Sequence, residues 1–320
     1  MFNTLLLLTM TACTTDPMDT GNPPTPDESL AERIDGEAMD RRLRDLFELS
    51  SVHDDRLTTS EGEEAAWDWA RAELETLGWT FEEQEVIWGI PLRRSANLIA
   101  TSPFGSEDRI LILGAHLDTV SGTAGLNDNG TGVVAAIGLA QAMSERQRAP
   151  DHQARVVLFT REEDWRLGSY TYAQSLSDAE AEATAAMLNL DVLGSPNGFP
   201  YIMDGYELGG SLGEASDELT TLLVQALNEE EQPWDLFDPN IYSDHVYFID
   251  REIPIAYLAT GGGDLKTEEQ AAAYGGTAGQ PYDPNYHTPE DDLDNVDQEL
   301  LGVMTRAAAG FAQELLYLEP

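Results

Sequence analysis

The strongest constraint in the 320-residue chain is a change of character at Gly114. The run Arg109-Ile-Leu-Ile-Leu-Gly114 is short, apolar and rich in branched side chains, the pattern of a strand covered on both faces in a parallel sheet. It passes into Gly114-Ala-His-Leu-Asp-Thr-Val120 and a glycine-rich loop containing Asn127-Asp-Asn-Gly130. From Gly130 to Met143 the residues are small and apolar throughout, as in a buried helix. His116 and Asp118 are two apart and fall on one side of an extended chain, and the loop delivers Asp128. Ligands of open α/β sheets collect at the carboxyl ends of strands, so a histidine and two carboxylates there point to a metal site. Alone, Asp-Asn-Gly is also an ordinary turn, and His-x-Asp a satisfied polar pair at a strand end.

The rest of the chain supplies the setting. Ala38–Leu49 and Ser60–Leu77 have helical spacing, the second capped by Thr58-Thr-Ser60 and closed by Gly78. Thr80–Ile90 alternates as a strand, and Ser95–Thr101 is another. Ala154–Thr160 is the next buried strand, with Arg161-Glu-Glu-Asp164 at its end and a helix from about Leu167. Neighbouring side chains of an extended segment point oppositely. One of Glu162 and Glu163 can therefore bind a metal while the other faces a bound water; a solvated acidic loop is the alternative. Met187–Gly194 reads as a strand with Asp191 embedded among apolar residues, costly unless the carboxylate is paired or bound to a cation. Pro254–Leu258 is the last good strand, Thr267–Pro289 a long loop carrying Tyr286 and His287, and Asp297–Leu316 a closing amphipathic helix. Helices leading into a mixed, centrally parallel sheet define the α/β class.

Gly209-Gly-Ser-Leu-Gly213 matches the G-x-S-x-G of serine hydrolases. A nucleophile elbow needs an apolar strand directly before the serine, and Asp204–Gly209 is a poor one, so Ser211 reads as a helix cap before Ala215–Leu227.

With 59 acidic against 17 basic residues, a formal net charge of −42 and a single lysine, Lys266, the chain repels phosphate, which excludes nucleic acid and anionic lipid as partners. Dense carboxylate also keeps a protein solvated, the reading favoured here over an acidic surface built for a partner. The one cysteine, Cys13, leaves no disulfide within the chain. Met1–Cys13 is a short apolar segment ending in Thr-Ala-Cys, the form of a bacterial lipoprotein signal with cleavage before Cys13 and lipid on its sulfur; a plain secretory signal is the alternative. The expected organisation is a signal over 1–12, a Pro/Thr/Asp tether over 13–29 and one catalytic domain over 30–320. The membrane is reached only through the lipid, outside the cytoplasm, and the protein is expected to be a monomer.

Together, GAHLDTV, GLNDNGTG, REED, LNLDVLGSPN, YSDH, GGTAGQ and NYHTP run in one order from about Asn97 to the C-terminal helix. In that order the chain resembles the M28 zinc aminopeptidases, most of all the secreted streptomycete-type double-zinc enzymes. The resemblance implies a three-layer α/β/α domain of the zinc-exopeptidase, phosphorylase/hydrolase-like kind, with two Zn2+ ions and peptide or protein N-termini as substrates. It implies one zinc on His116, Asp128 and Asp191, and the other on Asp128, Glu163 and His287, with Asp128 bridging. Glu162 is then the general base or acid, Asp118 orients His116, and Tyr286 offers its hydroxyl to the tetrahedral intermediate. It also implies a cis peptide after Asp128. A bridging carboxylate and mostly anionic ligands are what two cations about 3.5–4 Å apart require.

Two departures stand out. Some secreted relatives carry a disulfide around the last histidine, where this chain has Asn285 and Glu290, and Tyr242 precedes Ser-Asp-His where certain relatives have arginine. Asp244 and His245 are assigned a supporting, pocket-lining place, and His53 and His152 the surface. The competing readings are a carboxypeptidase or a one-zinc glutaminyl-cyclase relative on the same fold, and a non-catalytic binding module.

Overall fold

Alternation along the central strands explains the layers. In the strand Ser106–His116, Ile110 and Ile112 belong to one buried apolar cluster and Leu111, Leu113 and Ala115 to the other. The next parallel strand repeats this, with Met187 on the first face and Ala186, Leu188 and Leu190 on the second. Both faces are apolar because helices cover both.

The computed structural model describes residues 29–239 and 243–317; the proposed signal, nearly all of the tether and Tyr242 lie outside the described residues. The chain runs α1 (Gly36–His53), α2 (Glu61–Thr76), β1 (Thr80–Trp88), β2 (Arg93–Thr101), β3 (Ser106–His116), α3 (Thr131–Glu145) and β4 (His152–Phe159). It continues α4 (Leu167–Ser175), α5 (Asp178–Ala183), β5 (Thr184–Leu190), β6 (Tyr201–Met203), α6 (Gly210–Glu229) and β7 (Asp235–Phe237). Last come α7 (Val246–Ile249), β8 (Ile255–Ala259), α8 (Glu268–Tyr274) and α9 (Gln298–Leu316). One eight-stranded sheet has the order β1-β2-β4-β3-β5-β8-β6-β7, with β4, β3, β5 and β8 mutually parallel and the outer pairings mixed. Helices α1, α2, α3, α6 and α9 pack in the larger core, and α4 and α7 back the other face. This is the expected three-layer α/β/α architecture.

The middle of the sheet positions the site. Helix α3 is buried along almost its whole length. Its start presses on β5 so closely that a Cβ at Gly132 would overlap the Leu190 carbonyl and the Asn129 side chain. Among the described residues no helix is long and apolar enough to cross a membrane.

Several local expectations change. Strand β5 ends at Leu190, and Val192 has φ +57°, so Asp191 stands just beyond the strand rather than within it. Thr267–Pro289 is not all loop: a capping box between Thr267 and Gln270 starts α8. Ser211 does not cap α6, which starts after Gly209 with no side-chain cap. The three-residue strands β6 and β7 and the short α5 escape the sequence reading.

Candidate metal centre

His116 closes β3, Asp128 sits in the turn between β3 and α3, Glu162 and Glu163 follow β4, Asp191 follows β5, and His287 comes from the loop before α9. The parallel order β4-β3-β5 lays three of these strand ends side by side, so residues far apart in sequence converge. His116 Nε2 lies 3.2 Å from Asp128 Oδ1 and 3.4 Å from Asp191 Oδ1. His287 Nε2 lies 3.0 Å from Asp128 Oδ2 and 3.3 Å from Glu163 Oε2. Two groups result, His116–Asp128–Asp191 and Asp128–Glu163–His287, each with its ligand atoms within 4.8 Å of one another. Asp128 gives one oxygen to each. The expected cis peptide is present at Asp128–Asn129.

The donors fit a pair of divalent cations. Asp128 Oδ2 and Asp191 Oδ1 are buried with no hydrogen bond directed at them, although imidazole nitrogens stand 3.0 and 3.4 Å away. Oxygen and nitrogen lone pairs therefore face common points. Bonds of about 2.0–2.1 Å at tetrahedral angles would set such atoms about 3.3 Å apart, close to the spacings found. A mixed histidine–carboxylate set selects a transition metal over magnesium or calcium, which favour all-oxygen ligands.

The surrounding charge carries the same sign. Burial raises Glu162 well above the ordinary carboxylate range; His116 pulls it down, and Asp244, Asp191 and Glu163 push it up. Burial, reinforced by Asp128, pushes Glu163 to about 7, and burial brings Asp118 to about 6. Burial opposes protonation of His116, but Asp191 and Asp128 raise it well above its usual value; the adjacent carboxylates of Asp128 and then Glu163 lift His287 to about 10. Carboxylates that hold protons and imidazoles that bind them tightly form a strongly negative pocket, and bound cations would displace those protons.

Neighbouring groups hold the ligands in place. His116 Nδ1 meets the main-chain carbonyl of Asp118 at 3.0 Å, while the Asp118 carboxylate, 3.8 Å away, accepts from the Glu162 amide at 3.0 Å and from Thr58. Asp118 thus orients His116 through its backbone and Glu162 through its side chain. Ser243 and Tyr257 donate to Asp191 Oδ2 at 2.7 and 3.3 Å. The Arg161–Arg166 segment is a turn, with Arg161 at φ +59°. Glu163 therefore faces His287 by the shape of this turn, not by strand alternation, and Glu162 lies 3.9 Å from Arg166. Tyr286 stacks on His287 at 3.9 Å between ring centroids and lines the cavity in front of the ligands. Asp128 first, then burial, keeps its phenol protonated.

Three features depart from the sequence reading or escape it. Asp244 and His245 are fully buried and do not line the cavity; neither Asp244 oxygen receives a hydrogen bond, and burial raises its pKa to about 7. Arg56, fully buried, donates to the carbonyls of Leu117, Ala124 and Gly125 and to Ser50, bracing the loop between β3 and α3 from below. Asp291 accepts from the amides of Asn127 and Asp128 at 2.8 and 3.1 Å, and Asp283 from Asn127 and Asn295. Nothing in a solitary arginine or an Asp/Asn-rich loop marks either role in sequence. His53 and His152 are partly buried and outside the site, His152 lying 3.4 Å from Asp108.

The model of peptidase family M28 matches residues 97–312. Leucine aminopeptidase 2 of Arthroderma otae is 34% identical over 224 residues, 68% of this chain and 44% of that protein. An aminopeptidase of Pseudomonas aeruginosa is 35% identical over 217 residues, 67% of this chain and 40% of that protein. The chain thus spans less than half the length of these curated relatives. Among solved structures, the aminopeptidase from Aneurinibacillus sp. strain AM-1 superposes with a TM-score of 0.72 at 18% identity, over 91% of this chain and 96% of that one. A glutaminyl cyclase of Porphyromonas gingivalis gives 0.69 at 18% identity, over 88% and 99%. The chain belongs to peptidase family M28.

Proposed function

We propose that the chain is a dinuclear zinc aminopeptidase that removes N-terminal residues from peptides. The observation that carries this reading is the meeting of two complete ligand groups on Asp128, at the wall of a cavity of about 730 Å³ that Glu162 also lines. His116, Asp128 and Asp191 would hold one ion, and Asp128, Glu163 and His287 the other. Bound there, the pair supplies Lewis acidity and a water acidified toward a pKa of about 7.

The chain's own groups do the rest. Glu162, held through its amide by Asp118, takes the proton of the attacking water and passes it to the leaving amine, a role that contributes about 10²–10⁴-fold. The Tyr286 hydroxyl, kept protonated by Asp128, donates to the developing oxyanion. The acidic surroundings suit a free α-ammonium and disfavour the carboxylate that a carboxypeptidase must bind. A glutaminyl cyclase shares the fold, but two complete ligand groups favour hydrolysis over one-metal cyclisation.

The test combines metal content per chain with hydrolysis of free and N-acetylated aminoacyl anilides. Two zinc ions and turnover of the free anilides alone are expected. Turnover of N-acetylated substrates, or cyclisation of N-terminal glutamine without hydrolysis, would overturn the reading.

A further inference from the structure

The cavity runs away from the ligands as a corridor of aromatic rings. Tyr257, whose hydroxyl meets Asp191, packs 4.9 Å from Phe237 between centroids; Phe237 packs 6.2 Å from Tyr201, and Tyr201 5.5 Å from Tyr282. These rings all line the cavity. Beyond them lies a closed hydrogen-bond ring. Gln270 donates one amide hydrogen to the Tyr201 hydroxyl and the other to Asp235 Oδ2 at 3.1 Å. Tyr282 donates to Gln270 Oε1, and so accepts from Tyr201. The amide orientation is fixed because Thr267 N also donates to Gln270 Oε1, at 3.0 Å.

Counting protons decides what this end can bind. Both amide hydrogens and both phenolic hydrogens are spent inside the ring. Asp235 receives one further donor, the Leu236 amide at 2.9 Å on Oδ1, so spare lone pairs and a negative charge remain. Asp264 lines the same cavity, and no hydrogen bond or ion pair engages its carboxylate among the described residues. The lining arginine or lysine among those residues is Arg166, beside Glu162 at 3.9 Å. The corridor therefore offers apolar walls along its length and, at its end, the negatively charged acceptor Asp235, with the Asp264 carboxylate also on the cavity wall.

We propose that this corridor receives the side chain of the substrate's N-terminal residue, and that Asp235, with Asp264, makes it select lysine or arginine. Those side chains combine an apolar stem with a tip that only donates. Norleucine fills the same walls and leaves the acceptors unanswered, and acidic side chains are repelled. The inference rests on the aminopeptidase reading and extends it to a substrate class.

The experiment measures kcat/KM for lysyl, Nε-acetyl-lysyl and norleucyl anilides with the zinc-loaded protein and with Asp235→Asn/Asp264→Asn. The whole-molecule charge of −42 draws any dication, so the variant is needed to separate the pocket from the field. Lysyl is expected to exceed norleucyl by up to about fivefold, the upper range for a partly exposed ion pair, with Nε-acetyl-lysyl no better than norleucyl. In the double variant the lysyl-to-norleucyl ratio should fall toward 1. Equal turnover in the parent protein, or a ratio unchanged in the variant, overturns the inference and leaves the aminopeptidase reading standing. Should the variant not fold, the Nε-acetyl-lysyl comparison in the parent decides, and turnover matching lysyl overturns the inference. No hydrolysis of any anilide overturns both.

Discussion

Arg56→Met removes a buried cation while keeping much of its stem, and the structure sets the size of the effect. The guanidinium donates to the Leu117 carbonyl at 2.9 Å, to Gly125 at 3.0 Å, to Ser50 at 3.1 Å, and to Ala124. It also answers the charges of Asp291, Asp118, Asp128 and Glu163. Burial draws its pKa down to about 10, so it stays charged at neutral pH. Gly125 keeps the Gly130 amide at 3.0 Å and Ala124 keeps Ser50 at 3.3 Å, so the loss falls chiefly on Leu117 and the uncompensated carboxylates. Removing one partner of a buried charged network costs about 3–5 kcal/mol. At about 2 °C per kcal/mol for a chain this long, the chelator-treated protein should melt about 6–10 °C lower. A second readout separates electrostatics from packing. Arg56 is a positive charge below the ligand groups, so its removal should favour cation binding there, and the rise in Tm on adding zinc should be larger in the variant. A metal-free variant as stable as the parent, or a smaller zinc-induced rise, would refute the role given to Arg56.

Other expectations follow from the same site. Glu162→Gln should keep the bound metal while lowering kcat about a hundredfold or more, whereas Glu163→Gln should lose metal by elemental analysis; reversed phenotypes would exchange the two roles. Asp291→Ala strips acceptors from the Asn127 and Asp128 amides and should weaken zinc binding in a competitive chelator titration. Unchanged affinity would make Asp291 a matter of folding alone. At −42 the folded chain repels itself, and screening shortens that repulsion from about 8 Å at physiological ionic strength to about 3 Å at 1 M. Tm should therefore rise with NaCl, and a fall would mean that the carboxylates bind cations specifically. We propose a lipid on Cys13; Cys13→Ala should shift the protein from membranes to the soluble fraction, and identical fractionation of the two would reject the anchor.

The central sheet and the residues of the two candidate ligand groups are legible in sequence because both rest on local patterns. Buried parallel strands are apolar runs, and each candidate ligand lies within a few residues of such a strand's end or in a named motif. What escapes depends on tertiary partners. Strands β6 and β7 are three residues each and exist because β8 and each other supply their pairing. Helix α8 hides between glycines in an alanine- and glutamate-rich segment. Asp191 leaves the strand because Val192 takes a left-handed φ of +57°, unusual for a β-branched residue. Asp244 and His245 look like pocket polar groups in sequence, yet the chain buries them. Arg56 has no motif at all; its role comes from the loop it underpins.

The loop carrying His287 shows how this chain manages without a disulfide there. Asp283 and Asp291 are both about 1% exposed, and carboxamides rather than cations meet them most directly. Asn295 donates to both, Asn127 to Asp283, and the main-chain amides of Asn127 and Asp128 to Asp291. Asn285 in turn donates to the Asn295 side-chain oxygen Oδ1 at 2.9 Å. Each donor comes either from the turn that carries Asp128 or from the loop that carries His287, so one network sets the separation of the two. A disulfide would fix only the loop's own ends; this arrangement fixes the loop against its partner ligand. It also places two buried carboxylates behind Asp128, and burial pushes Asp291 up to about 7. Arg56 offsets that concentration of charge, since Asp291 is the strongest of the groups holding the guanidinium protonated. The buried arginine, the amide network and Asp128 are therefore parts of one electrostatic balance, in which the position of Asp128 is fixed from behind, ahead of any cation binding at its front.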